Sequence, residues 1–166
     1  MPITVYHPTG TKTAGKLRVA VVPAIADIKA PKIAELEAGV VIQCALDNFE
    51  PATDVSKQTR KKLCDTEAKE TVGTRTRQLA NFQFTGDKTN EDKVLELMAE
   101  DKTVFIVARP YEEHTKEFTT GDKLWIHECT VDALDPAPIN TDEGNEFEWI
   151  AQLSVRNREL NAAVAA

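Results

Sequence analysis

Phe147-Glu148-Trp149-Ile150-Ala151-Gln152-Leu153-Ser154-Val155 is the stretch whose reading decides the fold class. Phe147, Trp149, Ala151, Leu153 and Val155 occupy every second position, and Glu148, Ile150, Gln152 and Ser154 stand between them. Successive side chains of a strand point to opposite faces, so this spacing predicts a strand with one face on a core and the other turned to water. Lys123 to Thr130 alternates in the same way. Thr103 to Ala108 is apolar at nearly every position, which predicts a central strand covered on both sides and ended by Arg109-Pro110. Leu17 to Val22 reads as a strand stopped by Pro23.

Between these runs the pattern is less regular. Val40, Ile42, Cys44 and Leu46 alternate with Val41, Gln43 and Ala45, predicting a strand with a buried face. Glu67 to Thr85 reads as a strand pair or one bent strand broken at Gly73, with Thr76, Gln78, Ala80, Phe82 and Phe84 on one face. Pro31 to Gly39 has the punctuation of a short helix. One fuller helix is predicted over 90–101: Thr89 to Asp92 has capping-box spacing, and Val94, Leu97 and Met98 form an apolar stripe. Asp47 to Thr66 has no sustained period and reads as a long loop, a length that in compact domains marks a contact surface. The expected architecture is mainly β: an antiparallel two-sheet sandwich or barrel with one flanking α-helix. Residues 1–16 form an N-terminal arm, 17–160 a single domain and 161–166 a flexible tail.

Composition narrows the function classes. The 166 residues carry a net charge of −7, against the basic face a general nucleic-acid binder needs. No apolar run approaches the length of a membrane helix, and the polar N-terminus lacks the apolar core of a signal peptide. Cys44, Cys64 and Cys129 are too few for a disulfide scaffold and read as buried thiols. Neither Ser56 nor Ser154 lies in a nucleophile elbow, the glycines are isolated, and His7, His114 and His127 are far apart. His127-Glu128-Cys129 lacks the further ligands a zinc site requires. No cofactor, metal or catalytic residue is expected, and Trp125 and Trp149 read as core residues.

Charge distribution says more than any motif. From Lys57 to Arg77 there are seven basic residues and three acidic ones, whereas from Leu124 to Val155 there are seven acids and no Lys or Arg. A basic segment and an acidic one suit a head-to-tail contact between copies. The expected contact residues are Lys57, Arg60, Lys61 and Lys62 on one copy and Asp135, Asp142 and Glu143 on the next.

Val22-Pro23, then Pro31 to Gly39, a strand carrying Cys44, and an Asp/Pro-rich stretch leading to Lys62-Leu63-Cys64-Asp65-Thr66 together resemble the major tail tube proteins of long, non-contractile-tailed phages, especially those infecting actinobacteria. The likeness continues through Thr71 to Phe84, Val94 to Met98 and Thr119-Thr120-Gly121-Asp122-Lys123-Leu124-Trp125. It implies a β-sandwich with a flanking helix, like the tube protein of type VI secretion. It also implies hexameric rings made in the host cytoplasm and stacked in the virion tail around a tape measure protein, between tail terminator and tail-tip proteins. DNA passes through such a tube without specific binding, so its wall should be neutral to acidic. Gln43, Glu128, Glu148 and Gln152, polar partners of apolar strand faces, are the expected lumen residues. The competing readings are a β-sandwich binding module for carbohydrate or protein, and a single-ring terminator or connector.

Overall fold

The computed structural model describes residue 6 and residues 8–142 and 144–166. Among the described residues eight strands and two short α-helices follow in chain order: β1 (Leu17–Val22), α1 (Ile33–Glu37), β2 (Val40–Val41), β3 (Glu50–Arg60), β4 (Lys69–Ala80), β5 (Phe82–Thr85), α2 (Glu91–Leu97), β6 (Thr103–Pro110), β7 (Lys123–Pro136) and β8 (Glu148–Ala163). The fold is mainly β and antiparallel, as the alternation predicts. Hydrogen bonding joins the strands into one sheet of order β2-β1-β6-β7-β8-β4-β3, with β5 also paired to β8.

The sheet closes over itself. Register shifts along the β7–β8 ladder add local twist at three places. As a result Phe82 and Phe84 of β5 and Ala151 of β8 pack into the same cluster as Val19, Val21, Val104 and Ile106 of β1 and β6. α2 seals this inner core with Val94 and Met98. On the opposite face of β1, β6 and β7, a second cluster joins Ala20, Val22, Phe105, Val107 and Ile126 to Leu36 of α1 and to Phe118. β6 is therefore covered on both sides, as its unbroken apolar run predicts.

Several expectations are corrected. Asp47 to Thr66 is not a loop: β3 fills most of it and pairs with β4 as a long hairpin. Its period was invisible because almost none of its residues is buried. The break in the next segment falls at Asn81, which takes a positive φ of 50°, and not at Gly73. Gly73 sits instead at a bulge against Ser56, whose Oγ accepts the Thr74 N–H at 2.7 Å. A side chain at 73 would meet that oxygen at 2.5 Å and would have to displace the hydroxyl from the Thr74 N–H. Val40 to Leu46 is only a two-residue strand followed by a 3₁₀ turn at Gln43–Ala45, with Ile42 alone buried. The helix expected over 90–101 ends at Leu97, and Asn90 provides no side-chain cap. Asp87 organises its start by accepting the Asn90 and Glu91 N–H groups at 3.0 Å.

The C-terminal tail is not loose either. Ala162 and Val164 are buried, and the N–H groups of Ala163, Val164 and Ala165 bond to the carbonyls of Lys29, Asp122 and Pro31. Small residues closing a core leave no apolar signal strong enough to read. Of the cysteines only Cys129 is buried, its thiol pushed up to about 12 by burial and then by Glu128 and Asp132. Cys44 and Cys64 are exposed.

Candidate assembly surface

The β3–β4 hairpin projects from the body. β4 joins β8 at the single register pair Gln78↔Ser154, and beyond it toward the tip the hairpin pairs only with itself. Val55, Leu63 and Val72 are exposed there, Leu63 completely. An isolated two-stranded ribbon is marginal in water. Thr, Val and cross-strand pairs hold this one, including Lys57 Nζ with Glu70 Oε2 at 3.3 Å. Lys57, Arg60, Lys61 and Lys62 are all exposed on or just beyond β3.

The acidic partners lie at the other end. From the Arg60↔Lys69 pair the ladder runs through Gln78↔Ser154 to Thr85↔Glu148. That is about fifteen residues of strand, on the order of 50 Å. Asp135 and Asp142 are exposed in or beside the 137–147 connection, as are Ile139 and Phe147. Glu143 lies outside the described residues. Basic and acidic groups, each accompanied by exposed apolar side chains, thus occupy opposite ends of one chain.

Between the ends, one sheet face stays uncovered. Register places Ala52 and Asp54 of β3, Gln78 of β4, and Gln152 and Ser154 of β8 on the side opposite Leu79 and Ala151, which enter the core. Ser154 Oγ donates to Asp132 and Gln78 Nε2 donates to Asp54 Oδ2 at 3.1 Å. None of these positions is Lys or Arg. Two of the expected lumen residues, Glu148 and Gln152, share this face, and Glu128 lies farther along it beside Asn157. Gln43 does not join them: it sits half-buried on the 3₁₀ turn with Oε1 unpartnered.

Beside the hairpin root lies an open groove of about 460 Å³. Leu17, Phe49, Pro51, Pro110, Tyr111 and Trp125 line it where the inner core reaches solvent, and Trp125 meets Tyr111 edge-on at 6.4 Å. Tyr111 is 68% exposed and has a φ of 72°, a conformation that bulky residues avoid. Buried Arg109, read in sequence only as a strand end, holds the adjoining loop. It donates to the carbonyls of Glu113, Lys116 and Glu117 and to Asp122 Oδ2 at 3.1 Å. Arg18 adds bonds to the His114 and Lys116 carbonyls. Burial pushes the Asp122 carboxyl up, but the Thr119 N–H and hydroxyl and the Arg109 guanidinium outweigh it and hold the group below its ordinary value.

His127, beneath the hairpin root, is buried with neither ring nitrogen partnered. Phe49 stands edge-on to it at 6.0 Å. Burial, followed by the positive charges of Arg158 and Arg77, pushes its imidazole down to about 4. The groups at 127 and 129 are packed within a strand, and among the described residues no group of His, Cys, Asp and Glu has the arrangement of a metal site.

No protein of curated function matches this chain in sequence. In fold it is similar to a chain of the anti-feeding prophage baseplate, determined by cryo-electron microscopy with sixfold symmetrisation. The two share 8% identity and a TM-score of 0.54, over 95% of this chain and 98% of the other. The family model described as phage tail tube protein matches residues 6–166. With that match over nearly its whole length, the chain belongs to the phage tail tube protein family and is a structural component of a phage tail.

Proposed function

We propose that this protein forms sixfold rings that stack head-to-tail into the tube of a long, non-contractile tail, through which DNA leaves the virion. The observation that carries the reading is the hairpin: a strand pair buried only at its root, at Leu79, projecting at one end, with its charge complement at the other. A contact between unlike ends of identical copies is heterologous and propagates along an axis. Lys57, Arg60, Lys61 and Lys62 of one copy meet Asp135, Asp142 and Glu143 of the next ring. Exposed pairs contribute only about 0–1 kcal/mol each, but repetition around a ring accumulates and sets register. Sixfold symmetry is supported by the symmetrised assembly in which the similar baseplate chain sits. The residue order that resembles tail tubes of actinobacterial phages supports the non-contractile type.

The uncovered polar face suits the bore. Cationic groups there would bind phosphates and release counterions, slowing DNA. Glu128, Glu148 and Gln152 are its lumen residues, with Asp54, Gln78 and Ser154 beside them. The role is structural and not catalytic. Its partners are other copies, the tape measure protein that fills the bore before DNA does, and the terminator and tip proteins that cap the stack.

Negative-stain microscopy of the purified protein, concentrated or seeded with tail tips, tests this. Tubes are expected, and reversal of Lys57, Arg60, Lys61 and Lys62 to Glu should abolish stacking while leaving the thermal unfolding temperature unchanged. Only monomers under all conditions would overturn the reading. Single rings that never stack would assign the chain to the terminator or connector class.

A further inference from the structure

The aromatic groove beside the hairpin root has no occupant among the described residues, and the segment that follows β7 has a form that fits it. We propose that the groove takes Pro136-Ala137-Pro138-Ile139 of a second copy, an inference that rests on the head-to-tail reading above and names its apolar contact. Pro136 and Pro138 each lock φ, and the residues preceding them, Asp135 and Ala137, are biased to extended backbone. Such a segment is extended before it binds, and here its start is held at the end of β7, with Pro136 paired to Trp149 and the Ala137 N–H on the Glu148 carbonyl. Grooves lined by aromatic rings recognise that geometry because little further ordering is needed. Pro136, Pro138 and Ile139 are all exposed, Ile139 at 71%.

Three further observations point to the same contact. The groove and the segment lie at opposite ends of β7, from Trp125 to Pro136, about eleven residues or on the order of 35 Å apart. Asp47 borders both the groove and the pocket beside residues 137–140. The segment still cannot swing to the Trp125 end of its own groove, because Pro136 pairs with Trp149 and the Ala137 N–H donates to the Glu148 carbonyl at 2.8 Å, whereas a second copy can supply it there. Tyr111 is held outward in a strained conformation by a loop pinned to two arginines, and strain of this kind persists where a side chain must be presented. Charge agrees as well. Lys12 and Lys16 line the groove, Lys16 shared with Glu113, against the single acid Asp47. The incoming segment is flanked by Asp135 and Asp142 in a stretch without Lys or Arg. The groove and the basic hairpin together then clasp one loop of the next copy.

The test uses a peptide of residues 134–142 added to the intact protein below its assembly concentration, read from the Trp indole N–H signals by NMR. The Trp125 signal should shift saturably while the Trp149 signal stays still. Replacing Pro136 and Pro138 by Gly in the peptide should weaken binding at least about tenfold, because the loosened backbone must be ordered on binding. Tyr111→Asn, which tolerates the positive φ, should weaken it comparably. In the full-length chain, Ile139→Asp should prevent tube elongation. No movement of Trp125 up to several millimolar peptide would overturn the proposal, as would unchanged elongation by Ile139→Asp. Peptide binding without tubes under any condition would instead remove the tube reading and leave the groove's specificity standing.

Discussion

β6 and the β3–β4 hairpin have the same backbone conformation and opposite surroundings. From Val104 to Pro110 every residue of β6 is buried, with one core on each face. In β3 only Thr53 is even half-buried, and β4 enters the core at Leu79, next to its end. Burial at about 25 cal/mol per Å² of apolar surface makes the first region a source of folding stability and the second nearly neutral. A hairpin that does so little for its own monomer yet keeps exposed Val55, Leu63 and Val72 fits the contacts proposed above with other copies.

That contrast breaks most sharply under substitution. Ile106→Ala should cost about 2–5 kcal/mol through lost burial and a cavity, whereas Val72→Ala should cost under about 0.5 kcal/mol. Arg109→Met should fall with the core residues, at about 3–5 kcal/mol. It leaves Asp122 and three loop carbonyls without their partner. Denaturant unfolding measures all three, and a Val72→Ala loss as large as that of Ile106→Ala would erase the distinction.

A smaller effect separates the hairpin root from the free hairpin through pH. His127 is neutral in the folded protein down to about pH 4, while in the unfolded chain it takes a proton near 6.5. As pH falls through that window the unfolded state gains a proton that the native state refuses. Stability should therefore drop by up to about 3 kcal/mol, then level off for this group. His127→Leu should remove the slope between pH 6.5 and 4 and sacrifices no hydrogen bond. Below that window the depressed Asp122 carboxyl takes over, its stabilisation lost as it is protonated. A pH profile unaltered by His127→Leu would show that the site opens to water in solution.

The smallest effect belongs to the hairpin surface. Lys57→Ala breaks an exposed pair with Glu70 and should change stability by under about 0.5 kcal/mol. A loss above about 1 kcal/mol in double-mutant cycles would mean that the hairpin is stabilised from within.

Alternation along 149–155 and 123–130 and the unbroken apolar run at 103–108 were enough to place β8, β7 and β6, because those strands bury one or both faces and burial is what the pattern records. Phe147, read as the first residue of the buried face, lies before β8 and is exposed. The acidic and basic segments were equally readable, being written directly in residue type. Periodicity failed over 50–60 for the converse reason: a strand wet on both faces is selected for no alternation. Val40 to Leu46 misled in the other direction, since an apolar alternation too short to span the sheet folds as a turn. Arg109 looked like punctuation, because its role depends on carbonyls four to eight residues away that only a closed loop assembles.

By itself the amino-acid order determined the class of the fold, the central strands and the separation of charge along the chain, all local consequences of which side chains avoid water. Tertiary structure alone decided that the basic hairpin and the acidic loop stand at opposite ends, that Glu148 and Gln152 share an open face while Gln43 does not, and that Tyr111, Trp125 and Phe49 border one groove. Those are relations between residues distant in sequence. Strand register and the closure of the sheet set them, and no local pattern encodes either.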